Sequence, residues 1–211
     1  MTLLTRLTAA LTGTLLAFAA QAAAPDQIIR DATDAVRADI AQNVATYQKD
    51  KAAFYAMVED KIVPHFDTPY IAKVILGNHL KSASPEQIAE FEAAFKDMLI
   101  RTYADRLLEY YDSIEIEVKP ARLSGNRGTV ATTIIRKEPG KPPIPIEFSV
   151  RQPKGSEEWK IWDIKAENIS LVLNFRTQLD AEIKRNGIPK VIERIKAGQL
   201  VVGAETGDGT R

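Results

Sequence analysis

Two histidines, His65 and His79, supply every imidazole in this 211-residue chain, and cysteine is absent. Disulfide frameworks, thiolate metal sites and Cys nucleophiles are therefore excluded. His65 follows Pro64 in a segment that reads as a loop, and His79 follows Gly77-Asn78 at a helix end. Imidazoles at such places cap or meet solvent more often than they ligate, so no metal site is expected. Gly-rich phosphate loops, the G-x-S-x-G nucleophile elbow and the H-E-x-x-H helix are all missing. What chemistry remains is a carboxylate acting as general base on an apolar substrate in a cavity, with Asp163 and Glu167 as candidates. Glu115 and Glu117 alternate with apolar residues and fit the solvated face of a strand.

Such residues need elements to position them, and composition allows a folded chain. Apolar residues make up 45% and charged residues 27%, which is ordinary for a globular protein with one well-buried core. Twenty-eight basic residues balance twenty-eight acidic ones, so no global charge marks a nucleic-acid binder. Met1 to Ala24 contain one charged residue, Arg6, ahead of an uncharged Leu-, Ala- and Thr-rich run to Ala20 and the small-residue site Ala20-Gln21-Ala22. This pattern predicts a signal peptide over residues 1–22, cleaved after Ala22. The run is too short and too diluted by Thr for the roughly 20 apolar residues of a membrane span. Without Arg6 the mature chain has 27 basic and 28 acidic residues, a net charge near −1. One domain is expected over residues 23–202, with a disordered tail over 203–211.

Ile29, Val36, Ile40 and Val44 recur at helical steps and predict a helix from Pro25 to about Gln48. Further helices are expected over about Lys51 to Ile62 and Pro69 to Leu76. In Ser84-Pro85-Glu86-Gln87, Ser84 can cap, Pro85 suits the first helical position and Gln87 can complete a capping box. The long helix opened there carries an apolar stripe that includes Phe91, Phe95, Met98, Leu99, Tyr103 and Leu107. After Tyr111 the period falls to 2, predicting strands around Ile114–Val118, Val130–Ile135, Ile144–Val150 and Trp159–Ala166, separated by Gly/Pro/Asn turns. Helices return at about Asn174 to Asn186 and Pro189 to Ala197. Helices, then an antiparallel meander, then helices describe an α+β fold. Periodicity alone leaves open whether Phe95, Met98, Leu99 and Tyr103 fill a core or line a cavity.

Several words occur in order: His65-Phe66-Asp67, Ile71-Ala72-Lys73-Val74-Ile75-Leu76-Gly77, Ala83-Ser84-Pro85-Glu86-Gln87, and Arg101-Thr102-Tyr103-Ala104. Trp159-Lys160-Ile161-Trp162-Asp163-Ile164, Ile169-Ser170-Leu171-Val172 and Asn174-Phe175-Arg176 follow. From about Ile28 to Ile195 this ordered set resembles the MlaC family, the toluene-tolerance auxiliary proteins, which are soluble periplasmic phospholipid carriers of Gram-negative bacteria. The chain departs from the family's usual residues at Asn78-His79-Leu80 and at Trp162, where Tyr is common. The resemblance implies a nuclear-transport-factor-2-like fold, a twisted antiparallel sheet with helices enclosing an apolar lipid cavity. It implies a periplasmic, monomeric, non-enzymatic carrier with a phospholipid as cargo and no cofactor. Its partners would be the MlaA–porin complex of the outer membrane and MlaD of an inner-membrane ABC transporter, and its role the maintenance of outer-membrane lipid asymmetry.

On that reading, Val74, Ile75, Leu99, Tyr103, Val130, Ile134, Ile146, Phe148, Ile164, Val172 and Leu173 are expected to line the pocket. They lie in family-matching helices or on the apolar parity of the strands, and Tyr103 is placed at the border of the mouth. Lys184, Arg185, Lys190, Arg194 and Lys196 are expected to meet acidic partner surfaces, against the plainer reading of a solvated helix face. The alternatives are an enzyme using Asp163 or Glu167, and a lipid-free adaptor bridging the two membrane complexes.

Overall fold

The computed structural model describes residues 23–202, so the expected signal peptide and C-terminal tail lie outside the described residues. Helix α1 (Pro25–Lys49) starts with Pro in its first turn and buries Ile29, Val36 and Ile40 of the stripe read from the sequence, together with Tyr47, while Val44 is partly buried. Asp50 then caps α2 (Lys51–Lys61) by accepting the Ala53 amide at 3.0 Å. A 3-10 turn, Val63–His65, leads to α3 (Thr68–Leu76), whose cap is Asp67. A second 3-10 turn, Gly77–Lys81, precedes α4 (Pro85–Tyr110), which opens with the anticipated reciprocal capping box between Ser84 and Gln87.

The strands are β1 (Ile114–Val118), β2 (Arg122–Ser124), β3 (Arg127–Arg136), β4 (Ile144–Arg151), β5 (Lys160–Ala166) and β6 (Ile169–Ser170). They form one antiparallel sheet in the order β1-β3-β4-β5-β6, and β2 shares the β3 edge with β1. Strands β2 and β6 are additions to the sequence reading. All three β2 residues are exposed, so no alternation marks them. The two-residue β6 is made by a tight turn in which Glu167 and Asn168 both take positive φ, 51° and 66°, the demand of a type I′ hairpin. Helix α5 (Leu171–Asn186) begins three residues before the expected Asn174, because Ser170 accepts the Leu173 amide at 3.1 Å. Helix α6 (Ile188–Lys196) is the last helix among the described residues, and the segment after it returns Val202 to the core.

Buried side chains fall into three groups. One joins α3, α4, α5 and α6 around Leu76, Phe91, Leu179 and Ile195. Another joins α1, α2 and α4 around Ile40 and Phe54, and the third sets Ile29 of α1 against Val130, Val150 and Ile161 of the sheet and Trp159 just before β5. The segment between α2 and α3 is stitched to β5, where the Asp67 amide donates to the Ile161 carbonyl at 2.8 Å. No helix among the described residues is long and apolar enough to cross a membrane.

Candidate functional site

Where the three groups meet, the side chains do not close completely. An apolar cavity of about 430 Å³ is walled by α2 and the turn after it (Val58, Ile62, Phe66), α3 (Ile71, Ala72), α4 (Phe95, Leu99, Ile100, Tyr103, Leu107), β5 (Trp162, Asp163, Ile164) and α5 (Leu171, Val172, Phe175). A second of about 170 Å³ lies between α1 and the sheet, lined by residues that include Ile29, Val36, Ile116, Phe148 and His65. Ile62, Phe66 and Leu107 line both cavities and so form the partition between them. The larger space alone falls within the roughly 300–1,000 Å³ of small-molecule sites, and its lining is apolar as theirs is.

Polar groups in the larger wall are satisfied by neighbours. Thr68 Oγ1 donates to Glu92 Oε1 at 2.6 Å. Lys96 pairs with Glu59 and lies 3.5 Å from Asp97, and the bond to Glu59 chiefly holds its pKa above the usual lysine range. Asp163 is 2% exposed, and its Oδ1 accepts the Val172 amide at 3.1 Å, satisfying a donor in the first turn of α5. Asp163→Ala is therefore expected to cost about 1–3 kcal/mol by orphaning that donor. Asp163→Asn, which keeps an acceptor oxygen, is expected to cost less; equal urea midpoints for the two variants would contradict this role. Glu167, the other candidate base, is exposed in the hairpin turn and lines neither cavity.

His79 Nε2 lies 2.9 Å from Asp180 Oδ1, tying the 3-10 turn after α3 to α5. His65 is half-buried in the wall of the smaller cavity, and burial, followed by the nearby Lys160 ammonium, holds its pKa below the ordinary imidazole range. The unfolded chain thus binds a proton that the folded one refuses, and stability should fall as pH drops below about 6.5 toward the folded pKa, then level off. In urea titrations, His65→Gln should have a shallower slope in that window than the parent protein; identical slopes would contradict the assignment. Among the described residues no group of three or more His, Cys, Asp or Glu side chains could hold a metal ion.

Of the expected pocket residues, Leu99, Tyr103, Ile164 and Val172 line the larger cavity and Phe148 the smaller. The other six lie outside both cavities. Ile75 is 1% exposed and packed in the α3–α6 core, Val74 packs against that core, and Val130 is fully buried within the sheet group. Ile134 and Ile146 belong to rungs beyond the Val130–Phe148–Ile164 row and line neither cavity. Leu173 is 52% exposed: Val172 and Phe175, three apart, face inward, and the intervening 100° step turns Leu173 to solvent. Sequence reasoning missed the partition residues Ile62 and Phe66, although Phe66 stands in the family-like word His65-Phe66-Asp67. Each of the five basic residues expected to meet a partner has a carboxylate partner within the chain: Lys184 with Asp180, Arg185 and Arg194 with Glu182, Lys190 with Glu193, and Lys196 with Glu90.

Comparison with known proteins agrees with this architecture. The chain is similar to the intermembrane phospholipid transport system binding protein MlaC of Haemophilus influenzae, at 26% identity over 173 residues, 82% of this chain and 80% of that protein. It is similar to the toluene tolerance protein ttg2D of Pseudomonas putida, at 28% identity over 200 residues, 93% of this chain and 89% of the relative. The solved structure of a phospholipid-binding protein from Ralstonia solanacearum, in complex with a phospholipid, shares the fold with a TM-score of 0.73 and 24% identity, covering 84% of this chain and 97% of that one. The family model described as MlaC protein matches residues 30–197, and the chain belongs to the MlaC family.

Proposed function

We propose that this protein is a periplasmic phospholipid carrier, exchanging lipid between an outer-membrane lipoprotein–porin complex, MlaA with its porin, and an inner-membrane ABC transporter presenting MlaD. The observation that carries the reading is the pair of adjoining apolar cavities, separated only by Ile62, Phe66 and Leu107. Crossing water costs a lipid about 0.8 kcal/mol per exposed methylene, on the order of 20 kcal/mol for roughly 30 of them. Apolar walls remove that cost without a nucleophile or metal, while the headgroup stays hydrated at the mouth. The names of the Haemophilus relative and the Ralstonia structure, a phospholipid transport binding protein and a phospholipid complex, support the same cargo. Export rests on the composition of residues 1–22, and a role in outer-membrane lipid asymmetry follows from shuttling between those partners.

The test is uptake. Delipidated protein mixed with vesicles of labelled phospholipid and re-isolated by size exclusion should elute with stoichiometric label. Elution without label, from vesicles and from the partner complexes alike, would contradict the proposal. The α5–α6 surface remains the proposed partner contact, but the five basic residues expected to make it are already paired with acids, so binding there should weaken only modestly with salt.

A further inference from the structure

Arg127, Arg151 and Lys160 stand opposite one another in register across β3, β4 and β5. Like charges directly opposed on neighbouring strands repel, so such a row needs anions. Asp67 pairs with Arg151, and Glu158 lies 2.9 Å from Lys160 Nζ. Arg127 makes no ion pair among the described residues. Its contacts are aromatic: the guanidinium carbon lies 5.9 Å from the Trp162 ring centroid, and Nη2 donates to the Tyr70 hydroxyl at 3.3 Å. Tyr70 meets Trp162 edge to face at 5.7 Å and carries the Arg151 guanidinium 4.1 Å from its ring centroid.

This corner adjoins the larger cavity because of a β-bulge. Ser149 pairs with Asp163 and Val150 with Ile161, which leaves Trp162 as the extra residue of β5. A bulge re-aims the side chain it inserts, and here the indole both lines the cavity and bears Arg127. Lys96, the cation in the cavity's own lining, is already engaged by Glu59 and Asp97. The unneutralised charge therefore stands one ring away from an apolar space, on a guanidinium whose planar fork suits phosphate oxygens.

We propose that Arg127, held by Trp162 and Tyr70, forms an anion subsite for the phosphate of an amphiphile whose acyl part occupies the larger cavity. This rests on the carrier reading above and adds to it the headgroup contact. The probes are dipalmitoyl phosphatidylglycerol and dipalmitoylglycerol, which share tails and differ in the phosphate. Wild-type protein, Arg127→Gln and Arg127→Lys are loaded from vesicles of each, and lipid retention is followed by native mass spectrometry. Arg127→Gln is expected to lose about tenfold in phosphatidylglycerol retention with dipalmitoylglycerol unchanged, and Arg127→Lys to lie between, as a point charge without the fork.

Phosphatidylglycerol retention by Arg127→Gln within about twofold of wild type, or an equal loss for both lipids, would overturn the subsite and leave the carrier reading standing. A wild-type protein that takes up neither lipid would overturn the carrier reading, and the subsite with it. Inorganic phosphate in large excess should leave the lipid bound. Phosphate binding to lipid-free protein that is lost in Arg127→Gln, with lipid retention unaffected, would assign the corner to free phosphate and overturn the headgroup role.

Discussion

Replacing Leu99 with Trp is expected to empty the protein of lipid while leaving it folded. Leu99 lies on α4 between Phe95 and Tyr103 in the wall of the 430 Å³ cavity, so the added indole enters open space. Bound phospholipid per chain should fall by about tenfold or more, with a change in folding stability of less than about 1 kcal/mol. Ile75→Trp is the contrasting variant. Ile75 is 1% exposed in a packed core, where extra bulk costs about 1–3 kcal/mol or more, yet it lines neither cavity. Ile146→Trp, also away from both cavities, should leave lipid content as it is. Unchanged lipid stoichiometry in Leu99→Trp would contradict the assignment of this wall.

Asp67→Ala is expected to produce the largest loss of stability. The Asp67 side chain accepts the Tyr70 amide at 3.2 Å at the start of α3, and it pairs with Arg151 while only 8% of the residue is exposed. Its removal strips the cap and leaves a largely buried guanidinium without its counter-charge, at a cost of about 3–5 kcal/mol. Asp67→Asn keeps the capping oxygen and should lose less. Adding Arg151→Met to Asp67→Ala should recover part of the loss, the signature of a coupled pair. Urea midpoints measure all of these, and an Asp67→Ala midpoint matching wild type would contradict the role.

These two residues illustrate what can be read before a structure exists. The Ser84–Gln87 capping box and the Ile114, Ile116, Val118 alternation were legible because the interactions are local or strictly periodic. Asp67 stood within a recognisable word, but its partner Arg151 is 84 residues away and becomes adjacent only when β4 and β5 form. Leu99 and Ile75 carry the same helical apolar signal. They differ in whether neighbouring elements fill the space beside them, and sequence spacing does not encode that. The Trp162 bulge is likewise a relation between two strands, one residue of register, with no mark on either alone. By contrast, the pairing of the α5–α6 basic residues was partly visible: Asp180 and Lys184, Glu182 and Arg185, and Lys190 and Glu193 stand three or four apart along their helices.

The central claim, that the cavities carry phospholipid, is tested most directly by native mass spectrometry of the protein purified from periplasm without detergent, with extraction of whatever is bound. The account predicts a polypeptide starting at Ala23 plus the mass of a stoichiometric phospholipid, lost in Leu99→Trp. A bare polypeptide mass, persisting after exposure to phospholipid vesicles and to the membrane partner complexes, would contradict it.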